Sequence, residues 1–520
     1  MKYLISILLF VSVQVSIGQT WFVSTTGTDS NTGTNAASAF ATINKAISVS
    51  SCGDSIYVLA GTYHEKIIAY KICPENNRIT IQGDISQRPL IIGDSIPTNK
   101  YAISASGEGF RFRHFELNSP YPSVCDQSNQ IIVGNGDHFD FIDLIVRYSG
   151  YDGIKTYGDC ATSNFAVNWK IIDCQILDNG LGCPSSILNG DGIDFTECRN
   201  CVIQGSVIKN NKGHQIQAKL ESYNITIEKC HIEGKNIIQI GLPGTTPQCN
   251  PSAVNADSIF IRYNTILAKG DTSEFVFKLA DVSNLFIENN TIIKDSINSI
   301  NVGFICFGGC GSGPSWMNYP QADVVIRNNI FYSNAFVPFY YGTDTAFFDP
   351  NNTMSIVAAG YNLFYDINGE ISSPLDGSPT SFLANPLFCD YPTSFKLSGS
   401  SMCINAGDPT SNPDPDSTRN DIGAIYYQGC TTGVQLLKST KAFTIYPNPT
   451  TGILYISSNS PTQETLRIQF FSSQGQMVKQ INNYRTGNPI NVNSLSTGIY
   501  YVQIIGIDGS FVTQKIVIEF

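Results

Sequence analysis

Charge is scarce in this chain. Only 14% of its 520 residues are Asp, Glu, Lys or Arg, and they leave a formal net charge of −11. That balance excludes nucleic acid as a partner, because a phosphate backbone is held by a basic surface. An acidic polysaccharide stays open, since a local basic cleft or a bound cation can receive it. Past the N-terminus no apolar run reaches the roughly 18 residues that span a bilayer, so no transmembrane helix is expected. No Cys-x-x-Cys pair is followed by a His-x-x-His pair, which excludes a zinc-finger type of site. Cysteine is also missing after Cys430, the last of 15. The odd count leaves at least one thiol unpaired. The lone pair in Cys198-Arg199-Asn200-Cys201 reads as structural, because a redox motif belongs near a βαβ unit.

What is present is a repeat. Five segments share one pattern: Ile203-Gln204-Gly205-Ser206, Ile227-Glu228-Lys229-Cys230, Ile261-Arg262-Tyr263-Asn264, Ile287-Glu288-Asn289-Asn290 and Ile326-Arg327-Asn328-Asn329. Each opens on isoleucine, has a small polar residue, Cys or Asn three places later, and then returns to apolar residues. Alternation before the pattern marks strands. The steps from Ser206 to Cys230, Asn264, Asn290 and Asn329 are 24, 34, 26 and 39 residues. A minimum coil with variable loops is the signature of a solenoid. The register runs upstream through Cys174, Leu144, Phe115 and Asp84, and Asn362 reads as the last position. The fold expected is all-β: a right-handed parallel β-helix of roughly ten coils, its hand taken from the rule for parallel crossovers. Ile227, Ile261, Ile287 and Ile326 should stack inward, and Cys174 and Cys230 should be buried. Proximity in sequence suggests disulfides joining Cys52 to Cys73, Cys125 to Cys160, and Cys306 to Cys310.

The ends differ. Met1-Lys2-Tyr3 and the apolar run from Leu4 to Val15 read as a signal peptide over residues 1–18. Phe40, Ile43 and Ile47, with Ser38 as N-cap, predict one short helix covering the open end of the solenoid. The β-helix with its caps should fill residues 19–430, and a Thr-, Gly- and Lys-rich linker 431–442. Short strands between turn residues over 443–520 suggest a small C-terminal β-sandwich.

Two resemblances follow from these residues. Phe22-Val23-Ser24-Thr25-Thr26-Gly27-Thr28-Asp29, Gly53-Asp54-Ser55-Ile56-Tyr57-Val58 and Gly61-Thr62-Tyr63 resemble the opening segment of secreted pectate-lyase-like β-helix proteins. The resemblance implies a carbohydrate-related role. Tyr446-Pro447-Asn448-Pro449, Leu495-Ser496-Thr497-Gly498-Ile499-Tyr500 and Lys515-Ile516-Val517-Ile518 resemble the C-terminal sorting domain of the type IX secretion system. That implies engagement of the type IX machinery through residues 443–520 in a Bacteroidetes-type bacterium, and placement outside the cell or on its outer-membrane surface.

Candidate chemistry gathers on three coils with related turns, Tyr151-Asp152-Gly153-Ile154-Lys155, Gly190-Asp191-Gly192-Ile193-Asp194 and Gly213-His214-Gln215-Ile216-Gln217. With Ile154, Ile193 and Ile216 inward, Lys155, Asp194 and Gln217 form one outward column. Cleavage of a uronate polymer by β-elimination needs a base and a cation that neutralises the uronate carboxylate. Lys155, His214 and Lys219 are candidate bases, with Asp191 beside them. Asp152, Asp191 and Asp194 are candidate Ca²⁺ ligands, as are Asp408, Asp414, Asp416 and Asp421 near the C-terminal cap. Lys278, Trp316 and Tyr319 are candidate substrate contacts. Asn189-Gly190-Asp191-Gly192-Ile193-Asp194 resembles a segment of polygalacturonase-type glycoside hydrolases, but their further Asp-Asp pair and Arg-x-Lys segment are missing. The reading is a monomeric, exported protein that binds a polysaccharide or cell-surface glycan. It either cleaves its ligand, as a lyase or a hydrolase, or holds it as an adhesin.

Overall fold

A computed structural model of the chain describes residues 18–93, 101–158, 164–183, 190–241, 254–269, 275–295, 303–307, 321–333, 347–348, 354–367, 374, 376–430, 443–458, 465–472, 477–505 and 511–519. The signal peptide and linker assignments, and Trp316, Tyr319, Cys160 and Cys310, fall outside them. The chain divides into two compact units, 1–430 and 431–520.

In the first unit the alternating segments become strands that pair in parallel with the strand one coil on. They build three long sheets, of 14, 12 and 10 strands among the described residues. One coil runs Ser222–Glu228 in the first sheet, His231–Gly234 in the second and Asn236–Ile240 in the third. The inward column of the first sheet pairs Ile203, Ile227, Ile261, Ile287 and Ile326 in register. All five are fully buried. Each such side chain contributes about 1.5–3 kcal/mol by leaving water. Toward the N-terminus aromatics replace the isoleucines, and Phe110, Phe112, Phe139, Phe141 and Trp169 stack ring against ring.

The repeated pattern also encodes the corner between the first and second sheets. Its third residue turns the backbone left-handed: Gly205 (φ 61°), Lys229 (55°), Tyr263 (57°), Asn289 (53°) and Asn328 (58°). Asparagine tolerates that region and glycine is unstrained there. The next residue points inward to a buried polar ladder. Asn264, Asn290 and Asn329 each accept a backbone N–H from the preceding coil, at 2.9–3.0 Å. Each also donates Nδ2 to the backbone carbonyl of Ile227, Ile261 or Ile287 at 2.8 Å. The corner's otherwise orphaned backbone groups are thereby satisfied. The ladder goes one rung beyond Asn362: its N–H donates to Ser381 Oγ (3.0 Å), and Phe382–Leu383 adds a further strand to the second sheet.

The cap is a helix over Ile43–Val49 that buries Ile43, Ala46 and Ile47. Its N-cap is Thr42 rather than Ser38: Thr42 Oγ1 accepts from Lys45 N–H, whereas Ser38 closes a separate 3₁₀ turn capped by Asn35. Cys52 pairs with Cys73 as expected, and Cys198 with Cys201. Cys125 pairs with Cys183, not Cys160, and Cys389 with Cys430. Cys183 is 58 residues from Cys125 in sequence and two coils on in the stack, which spacing alone conceals. Cys174, Cys230 and Cys403 are free and buried.

The second unit has two antiparallel sheets around one apolar core. Phe443–Tyr446, Ile453–Ser458 and Ile490–Asn491 form one; Thr465–Ser472, Met477–Arg485, Gly498–Ile505 and Phe511–Ile518 form the other. The Tyr446-to-Pro449 segment is tied to the last strand. Asn448 Nδ2 donates to Lys515 O and its Oδ1 accepts from Val517 N–H. No helix among the described residues is long and apolar enough to cross a membrane.

Candidate functional site

The third sheet carries the candidate residues. Its inward column runs Ile132, Ile154, Ile193, Ile216 and Ile238. One residue on, side chains turn outward, and register stacks Ile68, Ser104, Val133, Lys155, Asp194, Gln217, Gln239 and Lys278 in one column. A second outward column, two residues on, carries Tyr70, Tyr157, Thr196 and Lys219; Thr196 and Lys219 are direct partners. Coils of a parallel stack lie about 4.8 Å apart, so residues distant in sequence become neighbours.

Lys155 and Lys219 converge on one carboxylate. Lys155 Nζ donates to Asp194 Oδ2 and to Thr196 Oγ1 (3.0 Å). Lys219 Nζ donates to the same Asp194 Oδ2 at 3.1 Å and to Gln217 Oε1. Thr196 Oγ1 also donates to Asp194 Oδ1 at 3.1 Å. Burial alone would raise the Asp194 carboxyl, but the two ammoniums outweigh it and bring it down to about 2. Burial pulls the other way on Lys155, yet Asp194 and Asp152 raise it above the ordinary lysine range. Lys155 therefore stays an ammonium. The expectation that it can act as the base is corrected, for a reason the sequence conceals: a buried carboxylate sits on it.

Behind this cluster, in the turns before the strands, lie Asp152, Asp191 and His214, all at most 4% exposed. Asp152 Oδ1 accepts the Asp191 N–H (2.8 Å), and Asp191 Oδ1 accepts the His214 N–H (2.6 Å) while lying 3.3 Å from His214 Nδ1. Asp191 thus orients the imidazole from its Nδ1 side. His214 Nε2 and Asp152 Oδ2 are buried with no hydrogen-bond partner. Burial, then the charges of Asp191 and Asp194, push the Asp152 carboxyl well above its ordinary value.

The three carboxylates expected to hold calcium are not gathered. Among the described residues no three His, Cys, Asp or Glu side chains converge to hold a metal. Asp194 is occupied by lysines, Asp191 by His214, and Asp152 Oδ1 by the Asp191 N–H. The second acidic set is likewise engaged within the C-terminal closing segment. Asp421 accepts the Asn405 and Tyr427 N–H groups, Asp414 accepts that of Asp421, Asp408 pairs with Arg327, and Asp416 caps Thr418. Lys278 lies on the Lys155 column, three coils beyond Asp194. Sequence reasoning missed the aromatics of this face. Tyr157 and Tyr70 are 43% and 52% exposed. The signal was the Lys155-Thr156-Tyr157 alternation, which sends positions 155 and 157 out together.

Residues 102–242 and 160–355 match the right-handed β-helix region, and 444–519 match the secretion system C-terminal sorting domain. Residues 25–115 match a protein family of unknown function. No curated protein matches this chain. Among solved structures the chain is similar to pectate lyase Pel9A, at 13% identity and TM-score 0.45, over 80% of this chain and 98% of that one. It is similar to an alginate lyase from Paenibacillus sp. str. FPU-7, at 15% and 0.41, over 62% and 95%. It is also similar to a rhamnogalacturonan lyase, at 13% and 0.41, over 80% and 97%.

Proposed function

We propose that this chain, a right-handed β-helix protein with a type IX secretion sorting domain, binds a uronate-bearing polysaccharide outside the cell along the outer face of its third sheet. The observation that carries this reading is the sharing of Asp194 by Lys155 and Lys219. Two ammoniums on one carboxylate leave one positive charge without a direct ion-pair partner of its own, on a chain whose net charge is −11. A sugar carboxylate supplies the missing anion. Exposed Tyr157, two residues from Lys155, offers an aromatic face to a sugar ring, and Gln239 and Lys278 extend the polar column.

The same residues provide for β-elimination. An ammonium beside the uronate carboxylate stabilises the enolate that forms when the neighbouring C5–H bond breaks. His214 Nε2, oriented by Asp191, is the group able to accept that proton. The C5 electron pair then forms the C4–C5 double bond as the C4–O bond breaks, and the departing oxygen takes a proton from water. Hydrolysis is less supported, because it needs an acid and a base carboxyl flanking the bond and Asp194 is locked between lysines. Binding without cleavage is the second reading, favoured by the burial of His214.

The test is incubation of the full chain with polygalacturonate, alginate and uncharged glucan, with and without added Ca²⁺. Ultraviolet absorbance of unsaturated ends signals elimination, and new reducing ends without absorbance signal hydrolysis. Co-sedimentation with the acidic polymers alone signals binding. The reading fails if neither acidic polymer is bound or altered.

A further inference from the structure

A second recess lies on the other side of the β-helix, where the C-terminal closing segment crosses the corners of three successive coils. Those corners present Tyr263, Asn289 and Asn328, each in the left-handed conformation. The closing segment packs on two of them: Asn289 Nδ2 donates to Asn420 Oδ1 (2.7 Å) and Asp421 O (3.0 Å), and Asn328 Nδ2 to Ser411 Oγ (3.0 Å). It stops short of the third. Over Tyr263 and Arg262 it leaves a cavity of about 220 Å³, walled by Glu288, Arg327 and the loop Thr410–Asn412.

The lining is polar, and its guanidiniums are ion-paired. Arg262 gives its Nε to Glu228 (2.9 Å), Arg327 gives its Nε to Glu288 (2.6 Å) and its Nη1 to Asp408 (2.9 Å). The lining itself holds two guanidiniums and one carboxylate; with their further ion-pair partners Glu228 and Asp408, which stand outside the lining, the cluster has a formal charge of −1 and disfavours anions. Among the described residues the Arg262 Nη groups, the Tyr263 hydroxyl and the Asn412 amide have no hydrogen-bond partner, and Glu288 Oε2 is a spare acceptor. Planar donors and an acceptor beside a phenol ring match hydroxyl groups on a ring with apolar C–H faces. The volume is below the about 300–1,000 Å³ of sites for drug-sized ligands, which suits a single ring.

We infer that this recess is a second glycan site, selective for one uncharged sugar unit and separate from the lysine-bearing face. It does not depend on the function proposed above. The experiment is ligand-observed saturation-transfer NMR on the full chain with the methyl glycosides of glucose, galactose and mannose, and with methyl galacturonoside as the charged counterpart. At least one neutral glycoside should saturate, and its apparent affinity should fall about tenfold or more in Asn412→Ala, the loss of roughly one good hydrogen bond. Tyr263→Asn keeps a residue that tolerates the left-handed corner and should abolish the signal. Asn412 is exposed, so the alanine variant decides if the corner variant fails to fold. The inference is overturned if no neutral glycoside saturates, if only the uronoside does, or if saturation is unchanged in Asn412→Ala.

Discussion

Replacing Asp194 by Asn keeps the shape and removes the charge that two lysines share. With the Asp194 carboxyl brought from 3.8 to about 2, the shift of nearly two pH units corresponds to about 2 kcal/mol of pH-dependent stability. The sign follows from the depression. The contribution is complete above the ordinary aspartate value and is lost as pH falls from about 4 through about 2. The variant loses this and also strands two ammoniums. Breaking a buried pair by removing one partner costs about 3–5 kcal/mol, but the Lys155 and Lys219 side chains are 20% and 14% exposed and partly rehydrate. A loss of about 3 kcal/mol at pH 7 is therefore expected. Urea unfolding followed through the fluorescence of buried Trp169 measures it, with Lys155→Met closing a double-mutant cycle. The gap between wild type and variant should narrow as pH drops from 4 to 2. A variant within about 0.5 kcal/mol of wild type at pH 7, the usual scatter of surface substitutions, or a gap independent of pH, would refute the reasoning.

Three further outcomes are expected. Ile287→Asp places an unpaired carboxylate at a fully buried rung of the first sheet and should cost more than about 4 kcal/mol or prevent folding, read as loss of the cooperative unfolding transition. Asp152→Asn replaces a carboxyl that burial and the charges of Asp191 and Asp194 push well above its ordinary value. Ionising Asp152 costs stability as pH rises from the ordinary aspartate value through its raised one, so the variant should hold up better than wild type on the alkaline side, and an unchanged pH profile would contradict that. Deleting residues 443–520 should retain the protein in the periplasm of its host, as fractionation and immunoblotting would show; surface display of the truncated chain would disprove the sorting role.

The β-helix was legible because two periodicities coincide in the sequence. Alternation of two marks Ile261 and Ile287 as inward, and the left-handed third position with Asn at the fourth marks the corner. The sorting domain was legible through short strands and the Tyr446-Pro447-Asn448-Pro449 segment. The Cys52–Cys73 link spans 21 residues, close to one coil, and was visible for that reason. Cys125–Cys183 joins loops whose closeness depends on the whole stack. At the site, sequence placed Lys155, Asp194 and Gln217 in one column correctly. Protonation was not legible, because it depends on which carboxylate a lysine reaches across the coils. Lys155 meets Asp194 from 39 positions away, and that contact turns a candidate base into a fixed cation. The contacts of Asp152, Asp191 and Asp194, the calcium candidates, were not legible for the same reason: each meets groups of another coil.

The central claim, that the Lys155–Asp194–Lys219 face binds acidic polysaccharide, is tested most directly by affinity electrophoresis of the native chain through gels containing polygalacturonate or alginate. Wild type should be retarded at low salt, less so as ionic strength rises, and the double variant Lys155→Met, Lys219→Met should run as in a gel without polymer. Equal retardation of wild type and double variant, or none for wild type in either polymer, would contradict the account.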